Sequence, residues 1–185
     1  MILYKYRALE PFRFFVDILL NKRFFAARYS DLNDPMEGQY LLMESGKINT
    51  DVQQILNSDK ERLRICSLSR NPSIDLMWAH YANGDRGVAI GVRIDNRYDV
   101  RPVEYSGPLC LAPGVQNAFT ARDILLRKNE AWEYEQETRV FTLGPQFVDV
   151  ELVEILCGTR MSTQDKGMVQ RLVEKLSPGT PVKTR

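Results

Sequence analysis

A strand that is apolar on both faces has to lie inside a covered sheet, and residues 87–94, Gly-Val-Ala-Ile-Gly-Val-Arg-Ile, read as the most buried strand of this chain. The segments before it suggest what surrounds it. Residues 3–7 alternate tyrosine with cations and read as a first strand ending in Arg7. From Pro11 the period changes: Phe12, Phe15, Val16, Leu19 and Leu20 fall at i, i+3, i+4, i+7 and i+8, one apolar helix face with proline at its first turn and Asn21 at its end. Residues 23–28 read as a second strand, 29–38 as a turn-rich loop, and 39–58 as mostly helical with a break at Ser45-Gly46. Residues 63–69, Leu-Arg-Ile-Cys-Ser-Leu-Ser, predict a strand. Ser73 is placed to cap a short helix with Ile74, Met77, Trp78 and Tyr81 on one face, closed by Asn83-Gly84.

After the buried strand, residues 98–105 predict another, hairpin-linked to it through Asp95-Asn96, then a loop at 107–116 and a helix at 119–128. Short strands at 148–150 and 153–157 precede a final helix over 163–176, whose stripe is Met168, Leu172, Val173 and Leu176. A β-α-β start followed by hairpin-linked strands and interspersed helices implies an α+β fold with mixed, mainly antiparallel sheets and peripheral helices. No repeat, low-complexity tract or linker interrupts the 185 residues, so a single domain, 1–185, is expected.

Charge and composition narrow the function classes. The 25 basic and 24 acidic side chains nearly cancel, which removes a global electrostatic argument for nucleic acid and leaves only a local basic patch open. The opening Met-Ile-Leu-Tyr-Lys-Tyr-Arg carries no apolar segment long enough for a signal peptide or a membrane span, so a cytoplasmic location and no membrane partner are expected. Cys66, Cys110 and Cys157 are far apart and lack metal-site spacing; Cys66 and Cys157 lie in apolar runs and read as small buried hydrophobes. The single histidine, His80, excludes mechanisms that need two, including most zinc hydrolases, and no metal site is expected.

The chemistry concentrates in residues 127–141, Arg-Lys-Asn-Glu-Ala-Trp-Glu-Tyr-Glu-Gln-Glu-Thr-Arg-Val-Phe. Four glutamates stand beside a tryptophan and a tyrosine, flanked by Lys128 and Arg139, and the segment turns β-like near its end. It reads either as a built site or as a polar helix end leading into an edge strand. Residues 128–133 read as a loop or helix end anchored by Trp132, and 135–141 as a strand that puts Glu135 and Glu137 on one face.

Several motifs stand in a familiar order. Tyr4-Lys5-Tyr6-Arg7, Leu32-Asn33-Asp34-Pro35-Met36-Glu37, Met77-Trp78-Ala79-His80-Tyr81-Ala82 with Gly87-Val88, and Trp132-Glu133-Tyr134-Glu135-Gln136-Glu137-Thr138-Arg139 together resemble a bacterial family known as a domain of unknown function. The likeness runs from near the first residue to about Cys157 and names no reaction. A second resemblance supplies one. Arg7, Ser67-Leu68-Ser69 and Glu135-Gln136-Glu137, in that order and each beside a predicted strand, are similar to the arginine, serine and glutamate elements of ADP-ribosyltransferases. That family's serine motif usually has threonine in the middle, where this chain has Leu68.

The second resemblance implies an ADP-ribosyltransferase-like split sheet and an enzyme that consumes NAD, releases nicotinamide and transfers ADP-ribose to a protein or nucleic acid, as a bacterial toxin or antiphage effector. Cleavage of the nicotinamide–ribose bond passes through an oxocarbenium-like state, so negative charge near the ribose is required. Glu137 is the implied catalytic carboxylate, with Glu135 orienting or deprotonating the acceptor. Arg7 is the implied phosphate clamp. Ser67 or Ser69 is implied to bond the ribose or orient Glu137, and Tyr6, Tyr81 or Trp132 to stack on nicotinamide, with His80 a further candidate for binding the cofactor.

Each of these residues also has a plain structural reading. Arg7 and the glutamates could be cross-strand ion pairs, the serines small strand residues, His80 a hydrogen-bonded structural histidine, and Trp78 and Trp132 core anchors. The segment from Asn33 to Glu37 reads either as an Asx-type turn capping the next helix or as a lid over a nucleotide. Two other functions stay open: a non-catalytic nucleotide- or protein-binding module, and a metal-dependent nuclease using Asp34, Glu37, Glu135 and Glu137.

Overall fold

The computed structural model describes residues 1–34, 36–42, 50–111 and 119–185. The buried run forms strand β5, Val88–Ile94, with Val88, Ala89, Ile90 and Val92 inaccessible to solvent. It pairs antiparallel with β1, Leu3–Arg7, on one side and with β11, Phe147–Cys157, on the other. Among the described residues the main sheet has eight strands. Seven run in the order β12 (Val182–Thr184), β11, β5, β1, β4 (Leu63–Ser69), β10 (Glu137–Leu143), β6 (Asp99–Pro102), and β2 (Arg23–Phe25) joins β11. All pairings in this sheet are antiparallel except β11 with β12. The molecule is therefore a mixed α+β protein with a mostly antiparallel open sheet. Smaller parallel pairs join β3 (Tyr40–Leu42) to β8 (Leu109–Leu111) and β7 (Glu104–Tyr105) to β9 (Arg127–Lys128).

Both faces of β5 are covered, as an unbroken apolar strand requires. On one side helix α1, Phe12–Asn21, presents Phe15, Ile18 and Leu19, and α5, Thr163–Leu176, presents Val169 and Val173, to a core that includes Val88, Ile90, Val92, Cys66 and Cys157. Ser162 caps α5 by accepting the Asp165 N–H at 3.0 Å, and Lys22, in the left-handed conformation, closes α1 onto the Ile18 carbonyl at 2.9 Å. On the other side Met77 and Trp78 of α3, Asp75–Tyr81, pack on Tyr4, Tyr6 and Ala89. Gly87 is forced by this packing: a Cβ there would lie 2.3 Å from the Arg7 carbonyl oxygen.

The sheet opens between β1 and β4. These strands are paired at one position only, Tyr4 with Ser69. Past that point they diverge. The Ser67 carbonyl accepts from the Lys5 Nζ at 2.9 Å, and Ile65 exchanges two hydrogen bonds, 2.8 and 2.9 Å, with Ala27. The segment after α1 thus runs from β11 to β4 and closes the opening at its far end.

Several expectations change. Within 39–58 the described helical part is 50–58, the start of α2, Thr50–Arg62, while Tyr40 and its neighbours form β3 and pair with β8 instead of joining a helix; the break expected at Ser45-Gly46 lies outside the described residues. Residues 98–105 do not form a hairpin with β5, whose two edges are taken by β1 and β11; β6 pairs with β10 instead. The helix expected over 119–128 is one turn, α4, Ala121–Ile124, boxed by Thr120 and Asp123, after which β9 begins. Strand 23–28 is β2 plus the bridge at Ala27. The two strands expected near the end are one, β11, with a register shift between Leu152 and Glu154, and β12 has no forerunner in the sequence pattern. Ile74, not Ser73, precedes α3, and no side chain caps it. Asp34 does make an Asx turn, its Oδ1 accepting from Met36 N at 2.9 Å, but a turn and β3 follow rather than a helix; Pro35 and the 112–116 part of the expected loop lie outside the described residues.

Candidate functional site

The opening between β1 and β4 is a cavity of about 360 Å³. Lys5 and Arg7 line it from β1, Ser67 and Ser69 from β4, and Glu135 and Glu137 from the segment entering β10. Tyr6 and Tyr81 also border it, so seven of the nine predicted site residues face one space. His80 and Trp132 do not. His80 is exposed, its ring 6.1 Å from Tyr134 and 6.4 Å from Tyr81. Trp132 is half-buried rather than a core anchor, with the Lys128 Nζ 4.9 Å from its ring. The core tryptophan is Trp78, 1% exposed, which donates to the Pro72 carbonyl at 2.8 Å.

Register explains the convergence. Tyr4, Ser69 and Glu137 are partners across β1, β4 and β10, and Arg139 stands opposite Ser67. Glu135 is not on the strand face, contrary to the alternation expected for 135–141. Residues Glu130–Glu135 form a 3-10 turn capped by Asn129, and Gln136 is left-handed at φ 47 before β10 begins. The Ser69 hydroxyl, 1% exposed, donates to the Glu135 carbonyl at 2.7 Å and fixes that turn. Both carboxylates still meet on one cation, because Lys128 Nζ lies 2.5 Å from Glu135 Oε2 and 3.2 Å from Glu137 Oε2.

Around these glutamates lies a buried charge network that takes in Lys128 and Arg139 from the same charged stretch and Glu37, expected only in a turn, a lid or a metal site. Arg139, fully buried, donates Nε to Glu137 Oε1 at 2.9 Å and Nη2 to Glu137 Oε2 at 3.0 Å. It grips Glu37 equally, Nη1 to Oε2 at 2.8 Å and Nη2 to Oε1 at 2.6 Å, and Nη1 also reaches the Leu125 carbonyl. All five guanidinium N–H groups are thereby used. Lys128 adds a contact to Glu37 at 3.7 Å. Tyr81 Oη donates to Glu135 Oε1 at 2.5 Å, and the Glu137 N–H donates to Tyr105 Oη at 2.6 Å.

Burial alone pushes the Glu137 carboxyl up, but Arg139 and then Lys128, with Ser67 a smaller contributor, reverse this and hold it at about 2. Glu137 is therefore an anion throughout the ordinary pH range. Burial, followed by the hydrogen bond to Glu135, pushes the Tyr81 phenol well above its usual range, so it stays a donor. Burial likewise takes Tyr6 and Tyr105 to about 12. Tyr6 donates to the Asn71 carbonyl at 2.7 Å and packs edge-on against Trp78 at 5.2 Å, which leaves its ring in the core rather than free to stack on a ligand.

Arg7 differs from Arg139. It is half-buried, no described carboxylate pairs with it, and burial lowers its pKa. Its Nε donates to the Ala8 carbonyl at 3.0 Å, leaving guanidinium N–H groups for a ligand. Among the described residues no group of three or more His, Cys, Asp or Glu is arranged to hold a metal ion; Glu37, Glu135 and Glu137 are engaged by Lys128 and Arg139 instead. No described helix is long and apolar enough to cross a membrane. Family models, curated proteins and solved structures give no match to the chain.

Proposed function

We propose that the chain binds NAD in the opening between β1 and β4 and cleaves the nicotinamide–ribose bond, passing ADP-ribose to a macromolecular acceptor, as in the arginine–serine–glutamate ADP-ribosyltransferases its motifs resemble. The observation that carries the reading is the convergence of Arg7 from β1, Ser67 and Ser69 from β4, Glu137 from β10 and Glu135 from the turn before it on one cavity. Arg7, a cation without a carboxylate, is suited to a pyrophosphate. As the bond from ribose to nicotinamide breaks, its electron pair leaves on the ring nitrogen and positive charge builds on the ribose. A carboxylate held ionised at about 2 is a poor base, so Glu137 acts by charge rather than by taking a proton. Glu135, bonded to Tyr81 at the cavity wall, is the group that orients the acceptor and receives its proton.

Labelled NAD incubated with the protein and a cell lysate tests this. Transfer of label or release of nicotinamide is expected; the absence of both would sink the reading. Glu137→Gln is a poor probe, because it strips a carboxylate from fully buried Arg139 and threatens the fold. Arg7→Gln is the better one. It removes a charge that no described residue compensates, so the melting temperature should hold while turnover falls roughly 10- to 100-fold, the worth of a charge-assisted hydrogen bond.

One observation favours a second reading: both oxygens of Glu137 are already occupied by Arg139 and Lys128, as in a structural network. The protein is then a nucleotide-binding module. Thermal stabilisation by NAD with no nicotinamide released distinguishes it.

A further inference from the structure

Tyr4, Tyr6, Ser67, Ser69 and Tyr81 bring hydroxyl groups to the cavity wall, and the direction of each hydroxyl proton separates them. Tyr4 donates at 3.0 Å to Glu154, which does not line the cavity. Tyr6 and Ser69 donate to the carbonyls of Asn71 and Glu135, both at 2.7 Å, and a carbonyl is no base. Ser67 bonds Glu137, a carboxylate held at about 2 by Arg139 and Lys128 and so a poor one.

Tyr81 is different. Its Oη donates at 2.5 Å to Oε1 of Glu135, and both residues line the cavity. Glu135 meets one cation only among the described residues, Lys128, and meets it with its other oxygen; Arg139 bonds Glu37 and Glu137 instead. A phenol with a carboxylate already on its proton is a nucleophile paired with its base. Asn33 adds a hydrogen bond to the same phenol, which favours the charge that gathers on Oη as the proton leaves. Lys128 lies 2.5 Å from Glu135 and 3.2 Å from Glu137, so one ammonium group joins this pair to the ionised carboxylate. Glu137 itself has both oxygens bonded by Arg139 and is not free to attack.

We infer that Tyr81 is the first acceptor of ADP-ribose, so that the chain passes through a covalent intermediate; the inference rests on the NAD reading. As the bond from the ribose carbon to nicotinamide breaks, its electron pair leaves on the ring nitrogen. Tyr81 Oη bonds to that carbon, and its proton passes to Glu135 Oε1. Tyrosine serves sugar chemistry in this way because it attacks without bringing a charge of its own. In the second step the acceptor attacks the same carbon and the bond to Oη breaks. Glu135 returns its proton to Oη and takes the acceptor's.

Purified chain mixed with labelled NAD, with no other acceptor, and quenched in denaturant tests this. A burst of one nicotinamide per chain is expected, with one ADP-ribosyl group that peptide mass spectrometry maps to Tyr81. Tyr81→Phe keeps the ring packed beside Tyr6 and Trp78 and leaves Glu135 on Lys128. It should fold, carry no label and release nicotinamide roughly 100-fold more slowly or worse. Nicotinamide release from a chain that stays unlabelled, or a label on another residue, overturns the inference and leaves the NAD reading standing. Equal release by Tyr81→Phe does the same. Neither nicotinamide nor label overturns both.

Discussion

Lys128 shows what a single buried side chain decides here. Three carboxylates, Glu37, Glu135 and Glu137, share a buried site with two cations, so the cluster carries one net negative charge. Burial pulls the Lys128 ammonium down, but Glu137, Glu135 and Glu37 more than reverse this and hold it above its ordinary value of 10.5. A cation raised in this way contributes its full stability below the unfolded value and loses it only as pH rises through the folded one. At neutral pH the contribution is complete. Lys128→Met keeps the volume and removes the charge, leaving three carboxylates to Arg139. The cost should be about 3–5 kcal/mol at neutral pH, as when one partner of a buried pair is removed. It should shrink on acidification, because a proton taken up by the site replaces the missing cation. Urea unfolding of both proteins at about pH 7.5 and about pH 5 checks this; a gap that is the same or larger at the lower pH refutes the assignment.

At the scale of elements, the sequence carried the strands and the site's core but not its geometry. Residues 63–69 and 87–94 were legible because their apolar runs match what they bury, and the α5 segment was legible as a helix, although it buries Val169 and Val173 rather than a stripe that begins at Met168. Arg7, Ser67, Ser69, Glu135 and Glu137 were legible as chemistry in an order, and all five border the cavity. Lys128 and Arg139 stood in the same charged stretch, yet nothing local shows that Arg139 reaches across 102 residues to Glu37. Trp132 and His80 were aromatic signals that do not line this cavity. The alternation assumed for 135–141 failed at Gln136, whose left-handed backbone replaces strand geometry and lets Glu135 and Glu137 share Lys128. That joint predicts a ranking. Gln136→Gly accepts φ 47 without strain and should leave stability level or slightly raised. Gln136→Val, β-branched in a conformation it resists, should be less stable than the glycine variant by about 1–3 kcal/mol. Equal unfolding midpoints for the two would mean that the turn relaxes.

Across the whole molecule the charge network is also a clasp. Glu37 comes from the loop after α1 and β2, Lys128 from β9, and Glu137 and Arg139 from β10, so one cluster fastens three remote segments around the opening in the sheet. The sheet cannot do this itself, since β1 and β4 are joined only at Tyr4 and Ser69. Acid should therefore loosen the protein through this cluster. The Glu137 carboxyl is held at about 2 against an ordinary 4.5 by Arg139 and Lys128, which outweigh its burial. A depressed carboxylate contributes stability above its unfolded value and loses it as pH falls through the folded one. The loss then falls between pH 4.5 and about 2, and amounts to roughly 3 kcal/mol for this group. Denaturant unfolding followed across that window should show the decline, and Glu137→Gln, which has no carboxylate to protonate there, should start lower and decline less. If the gap between the two proteins stays constant from about pH 5 to about pH 3, the acid sensitivity belongs to other carboxylates and the clasp is not held by Glu137.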